Sequence, residues 1–366
     1  MTELSPGTTD AADQFLQVYM LQGVSRTFAL TIPQLPSSLA RVVANAYLLC
    51  RIVDTIEDEA GLALETKRRF CERFVRAVSG REDPQSFSSD LLPLLSGSTA
   101  AAERHLIHHA ARVIRVTLTF NTRQRTALER CIGVMARGMT EFQGQRDGRG
   151  LDYLAHLDRY CYHVAGVVGE MLTTLFCDYS QEIAKRADAL MELSTSFGQG
   201  LQMTNILKDI WDDMTRGVCW LPRDVFTEAG FDLAQLSSGG CQPSFGRGLA
   251  RLIGLAHGHL KNAIAYTLMI PKQETGIRQF CLWAIGMAVL TLRKIHRQPD
   301  FGPGTRVKIS RRSVQATMIA ARLAAGNDHM LRSLFYLAGK GLPSASVRRA
   351  GSPRSPSHGA EKPTLR

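Results

Sequence analysis

The sequence predicts an all-α fold, and three observations carry that prediction. Apolar residues recur at three- and four-residue steps over most of the chain. Strict apolar/polar alternation, the signature of strands, is nearly absent. Gly and Pro clusters fall between the periodic stretches rather than inside them. With 366 residues and 45% hydrophobic content, the chain has ample material for a large core, which excludes a disordered protein or a peptide-scale scaffold.

The clearest element is residues 39–58, where Val42, Val43, Ala46, Leu49, Val53 and Ile56 fall at helical steps. Further helices are expected at 65–79, 101–118, 123–142, 152–177, 181–214, 247–268, 275–297, 310–325 and 328–339. Breaks fall at Pro33 and Pro36, Ser79-Gly80, 93–98, 148–150, Pro222, 237–240, Pro271 and 299–304. No internal repeat is visible. The longest apolar run, 281–292, is interrupted by Gly286 and Thr291. It falls short of the about 20 residues a membrane span needs, so it reads as a core helix. From Lys340 onward, six basic residues (Lys340, Arg348, Arg349, Arg354, Lys362, Arg366) face one acid, Glu361, among few large apolar side chains. Residues 1–340 are therefore read as a single all-helical domain and 341–366 as a basic, disordered tail.

Lys and Arg exceed Asp and Glu by 44 − 33, a net charge of +11, which favours phosphates, anionic lipid headgroups or nucleic acid as partners. No helix-turn-helix, zinc finger or aromatic stacking motif supports nucleic acid. A basic helical nucleic-acid-binding or membrane-surface module remains the reading from a different class. The eight cysteines are scattered singly without a C-x-x-C pair. This argues against a disulfide framework or a zinc site and for free thiols in a reducing compartment. No secretory leader is expected, because the first twenty residues carry Asp10 and Asp13 and no basic start or apolar run. The expected location is cytoplasmic, or at the inner face of a membrane with peripheral association through the basic tail.

The chemistry starts at Asp54 and Asp58, one helical turn apart on one face, with Glu57 beside them and Arg51 three residues earlier. Asn205, Asp209 and Asp213 repeat the arrangement at successive four-residue steps, with Asp212, Gln202 and Lys208 nearby. A lone D-x-x-x-D is usually a solvated helix face. Two of them, each in an apolar helix with a cation alongside, are costly unless paired or bound to metal. All-oxygen donors without a His or Cys cluster suit Mg²⁺, which takes one or two carboxylates and fills its shell with water and substrate phosphates. Two such helices would clamp a diphosphate leaving group. His105, His108 and His109 read as a solvated face and His163 as a packed side chain. Gly166 and Gly169 read as close-packing positions. The segment 217–222 reads as a flap or as an ordinary helix-ending loop.

Four segments taken together resemble the squalene/phytoene synthase family: Ser25-Arg26-Thr-Phe28-Ala, Tyr47-Leu-Leu-Cys-Arg51 leading into Asp54-Thr-Ile-Glu-Asp58, Tyr160-Cys-Tyr-His-Val-Ala-Gly166, and Gln202 through Asp213. They occur in the family's order over about residues 15–325. The resemblance implies the isoprenoid synthase helical bundle around a central apolar cavity, Mg²⁺, and head-to-head joining of two prenyl diphosphates. Arg278-Gln-Phe280-Cys with Met287-Ala288, and Val307-Lys308-Ile309 followed by Ser310-Arg311-Arg312, resemble squalene synthases more than phytoene synthases. Ser310 stands where those enzymes carry Arg. The absence of a closing apolar segment makes a bacterial, soluble form the expectation, with farnesyl diphosphate as substrate and NADPH as reductant. Synthases that stop at presqualene diphosphate, or make dehydrosqualene or phytoene without a reductant, are the alternatives.

Carried onto matching positions, the resemblance assigns Asp54, Asp58, Asp209 and Asp213 to metal. It assigns Ser25, Arg26, Tyr47, Gln202, Asn205 and Lys208 to the substrate, and Lys308, Arg311 and Arg312 to NADPH. Tyr160, Phe28, Phe280 and Arg51 become catalytic, the aromatic faces stabilising a carbocation by about 2 kcal/mol in a dry site. Without the resemblance, the three aromatics would read as core residues.

Overall fold

The computed structural model describes residues 6–25, 27–143, 148–238, 242–302, 307 and 309–347. Among these residues the regular structure is helical, apart from a lone bridge between Leu151 and Pro222. The helices run α1 (Pro6–Val24), α2 (Phe28–Thr31), α3 (Ser37–Asp58), α4 (Leu64–Val78), α5 (Pro84–Leu91), α6 (Ala101–His108), α7 (Ala110–Leu118), α8 (Thr122–Gln143) and α9 (Leu154–Cys161). They continue as α10 (Val167–Tyr179), α11 (Gln181–Ala184), α12 (Ala187–Thr215), α13 (Arg223–Glu228), α14 (Pro243–Met269), α15 (Thr275–Arg297), α16 (Arg311–Ala324) and α17 (Asp328–Gly339).

Three expected helices are interrupted. The stretch 101–118 breaks at His109 into α6 and α7, 181–214 opens with the separate turn α11, and 152–177 contains a π-turn at Tyr162–Gly166 between α9 and α10. The helices α1, α2, α5 and α13 were not expected. In α1, Phe15, Val18 and Tyr19 are exposed while Gln17 is buried, which blurs the apolar period. Of the three histidines expected on a solvated face, His108 is exposed and His105 and His109 are half-buried. His105, His108 and His109 stack edge-on across the α6–α7 break, with His105 also packed on Tyr19.

Six helices, α3, α8, α10, α12, α14 and α15, surround the centre of the molecule. Their approach is set by small residues. A Cβ at Gly198 of α12 would lie 2.0 Å from the Ala165 carbonyl, and one at Gly169 of α10 would lie 2.1 Å from that of Ser194. Only glycine permits backbones to meet this closely. Among the described residues α15 is long and apolar enough to cross a membrane. It is nevertheless buried along much of its length, at Ile277, Phe280, Cys281, Ile285, Val289, Leu292 and Ile295, as a core helix is.

The chain does not leave the domain at residue 341. Ala345 N donates to the Gly254 carbonyl (3.1 Å), Lys261 Nζ donates to Ser344 Oγ (2.6 Å), and His257 Nδ1 lies 2.9 Å from the Pro343 carbonyl. Gly254 and Gly258, one turn apart on α14, leave room for this backbone. Residues 348–366 of the expected tail lie outside the described residues. Cys241 does too, and the other seven cysteines are free and buried.

Candidate active site

Helix α3 buries Leu48, Leu49, Ile52, Val53 and Ile56 and thereby presents Asp54 and Asp58 on one side of its last turns. Arg51 Nη1 lies 3.6 Å from Asp54 Oδ2, and Arg51 Nη2 is hydrogen-bonded to Glu103 of α6. Arg51 Nε is buried without an acceptor. Burial pushes the Asp54 carboxyl up to about 7, against the pull of Arg51 and with the help of Asp58 and Glu103.

Helix α12 is built the same way. Ile206, Leu207, Ile210 and Trp211 are buried, and the Trp211 indole donates to the Phe301 carbonyl at 2.7 Å. This leaves Asn205, Asp209 and Asp213 on the other side. Lys208 Nζ is 3.0 Å from Asp209 Oδ2. Burial pushes Asp213 up to about 6, against Arg216, with Asp209 and Asp58 adding to the rise. Asp58 and Asp213, 155 residues apart in sequence, therefore feel each other's charge. Arg216 joins them, with Nη1 3.5 Å from Asp58 Oδ1 and Nη2 2.5 Å from Asp213 Oδ1. The two acidic rims face each other.

Between them lies a polar cavity of about 660 Å³, whose lining includes all four aspartates with Arg51, Lys67, Lys208, Arg216, Tyr160 and Trp220. Asp54, Val164, Gln202 and Asn205 also line a second, apolar cavity of about 280 Å³. Those four residues mark the join. The apolar hollow is walled by aromatic side chains. Phe28 sits 4.9 Å from Tyr47 and 6.5 Å from Phe280, and Phe280 sits 6.3 Å from Phe176, measured between ring centroids. Ser25 Oγ accepts from Phe28 N (3.0 Å), and the Tyr47 hydroxyl donates to the neighbouring Val24 carbonyl at 3.5 Å. At the far end, the Tyr266 hydroxyl meets Thr173 Oγ1 at 2.9 Å.

Tyr160 stacks on Trp220 with centroids 3.8 Å apart and planes 13° from parallel. Trp220 belongs to the 217–222 segment, which is tied to Leu151 by hydrogen bonds through Leu221 and Arg223 and contributes Val218 and Trp220 to the polar cavity. The segment is a wall of the site. The π-turn that follows Tyr160 supplies Val164 and Ala165 to the hollow. Such turns gather at functional sites.

Of the site residues expected from sequence, Asp54, Asp58, Asp209, Asp213, Arg51, Tyr47, Gln202, Asn205, Lys208, Tyr160, Phe28 and Phe280 line one or both cavities, and Ser25 supports them. Arg311 and Arg312 line neither and are exposed at the start of α16. Arg26 and Lys308 lie outside the described residues. Sequence reasoning missed Glu103, Lys67, Arg216 and Trp220. Arg216 lies one turn beyond Asp213, a signal that was available. Glu103 and Lys67 carried none.

A family model described as squalene/phytoene synthase matches residues 21–313. The chain belongs to the squalene/phytoene synthase family. The squalene synthase of Schizosaccharomyces pombe is 27% identical over 321 residues, covering 86% of this chain and 66% of that protein. Squalene synthase BSS of Botryococcus braunii is 30% identical over 303 residues, covering 80% and 61%. This chain thus spans about three-fifths of the length of the curated relatives it matches. Among solved structures, TcSQS in complex with the ligand BPH1237 superposes with a TM-score of 0.74 at 24% identity, over 89% of this chain and 91% of that one. A dehydrosqualene synthase in complex with a ligand gives 0.62 at 19%, over 87% and 98%. These structures share the fold, the isoprenoid synthase helical bundle.

The residues also suit the divalent metal that the family implies. No three Asp, Glu, His or Cys side chains converge into a closed cage among the described residues. Mg²⁺ needs no such cage, because it takes one or two carboxylates and completes its shell with water and phosphate oxygens. Two pairs of aspartates beside an arginine Nε without an acceptor form such a donor set.

Proposed function

We propose that this chain is a Mg²⁺-dependent squalene synthase that joins two farnesyl diphosphates head to head through presqualene diphosphate and reduces the product with NADPH. The observation that carries the reading is the pair of facing acidic rims at the mouth of an aromatic-lined apolar hollow. Asp54 and Asp58 would hold metal on one diphosphate, and Asp209 and Asp213 on the other. Bound there, Mg²⁺ neutralises the departing diphosphate. Arg51, Lys208 and Arg216 stand at the same rim to take phosphate oxygens. Gln202 and Asn205, which border both cavities, orient the allylic carbon at the join. Loss of one diphosphate leaves a carbocation, which Phe28 and Phe280 face from inside the hollow. The second farnesyl double bond attacks it, a proton leaves, and the cyclopropane closes. Tyr160, held by Trp220 on the polar side, is placed to steer that proton toward the departing diphosphate. The apolar wall keeps water from quenching the cation.

Hydride delivery rests on the resemblance of residues 307–312 and on the relatives' names. Val307 is buried in the same core as Trp211 and Phe301. A cytoplasmic location at the inner face of the membrane belongs to this proposal as well.

The test is mass spectrometry of the product from farnesyl diphosphate and Mg²⁺, with and without NADPH. Squalene with NADPH and presqualene diphosphate without it are expected. Presqualene diphosphate in both arms would end the reaction at the first step. Dehydrosqualene would move the chain to the reductant-free branch. No prenyl product at all would overturn the reading.

A further inference from the structure

Helices α16 and α17 expose large apolar side chains to a degree unusual for a water-facing surface. Ile319 and Leu323 of α16 are 62% and 66% exposed, and Tyr336 and Leu337 of α17 are 67% and 58% exposed. Arg312, Ala316, Ile319 and Leu323 follow one another at three- and four-residue steps and so form one stripe. Ala316 is exposed and at the same time lines a cavity of about 370 Å³ between α15, α16 and α17. The cavity therefore opens onto that stripe. Its walls are Leu, Ile, Val, Ala, Phe and Gly, with the hydroxyls of Ser313 and Thr317 as its polar side-chain groups. It lies across α15 from the substrate hollow. Phe280, Cys281 and Ala284 face the hollow, whereas Leu282, Gly286 and Val289 face this groove.

The charge around the groove has one sign. Arg311, Arg312, Arg322, Arg332 and Lys340 are exposed, and none makes an ion pair with a described residue. The one acid of the two helices, Asp328, is held by Arg278 and Lys272. An apolar stripe on its own would suit a protein partner equally well. An apolar stripe ringed by unpaired cations is complementary to an anionic lipid surface, where hydrocarbon burial and headgroup attraction act together.

We propose that the α16–α17 face is a bilayer-docking surface. Ile319, Leu323, Tyr336 and Leu337 enter the acyl region, Arg322 and Arg332 meet anionic phospholipid headgroups, and the groove behind α16 takes up one acyl chain from the leaflet. This surface is independent of the diphosphate site. Its failure would leave the proposed reaction untouched, and the converse also holds.

The experiment is flotation of the full chain with vesicles of phosphatidylcholine alone or mixed with phosphatidylglycerol. The wild type is expected to float with the mixed vesicles and to be released by high salt. Ile319→Glu/Leu323→Glu is expected to lose binding while its turnover in detergent stays at the wild-type level. Arg322→Ser/Arg332→Ser is expected to lose about thirty-fold on anionic vesicles, two charges at about 1 kcal/mol each, and little on neutral ones. Trp283 packs with Ala321, Ala324 and Leu331 of the groove wall. Brominated acyl chains should therefore quench its emission, and Trp283→Phe should remove that quenching. This readout does not depend on either charge-changing variant folding well. Three results would each overturn the proposal: vesicle binding unchanged in Ile319→Glu/Leu323→Glu, binding abolished by deleting residues 348–366 alone, or a lipid-free dimer that the same double variant dissociates.

Discussion

At Asp54 the site works against its own stability. The carboxyl is half-buried next to Asp58 and Glu103, and Arg51 offsets only part of the cost of burial, so it rises to about 7. Asp54→Asn and Asp209→Asn should each bring turnover to background. Neither should lower the melting temperature, because like-charge repulsion is removed. Near-normal rates in either variant would sink the two-rim mechanism. A second residue-scale prediction concerns His259, buried on α14 with Nδ1 2.8 Å from Ser196 Oγ. Burial pulls its imidazole down to about 4. The unfolded chain takes up this proton below about 6.5, and the folded protein does so only near 4. Stability is therefore lost as pH falls through that window, by about 3 kcal/mol at most. Urea unfolding at neutral and mildly acidic pH would show the slope, and His259→Asn should flatten it. The aspartates were legible in the sequence because their spacing is a local property of one helix. Glu103 and Lys67 were not, because each reaches the site from a separate helix.

At the scale of elements, the pair α10–α12 carries the site, and glycine sets its spacing. Gly198→Ala would drive a methyl into the Ala165 backbone. It should cost about 1–3 kcal/mol, read as a lowered thermal midpoint, with a further loss of activity because the π-turn it strikes lines the hollow. An unchanged midpoint would mean that the helices can part freely. The long helices were legible because their buried faces repeat every turn. The π-turn was not, since one inserted residue leaves no mark in an apolar pattern. The short helices α2, α5 and α13 also escaped, because a turn or two gives too few periods to detect.

At the scale of the whole molecule, Arg278 closes the C-terminal layer. It is 1% exposed and donates to the carbonyls of Leu268, Ile270 and Ala325 and to Asp328. One side chain thus ties the α14–α15 and α16–α17 turns together. Arg278→Met should destabilise the protein by about 3 kcal/mol in urea unfolding, since it leaves buried acceptors unmatched. A change within a few tenths would contradict that role. The sequence alone determined the helical class, the two carboxylate clusters and the cation beside each, because helical spacing and local composition are properties of neighbours along the chain. Only the tertiary structure decided that Asp58 meets Asp213 across Arg216, that Trp220 stacks on Tyr160, and that residues 343–347 pack on α14. These contacts join segments far apart in sequence, and their geometry is set by close packing of the whole core rather than by any local preference.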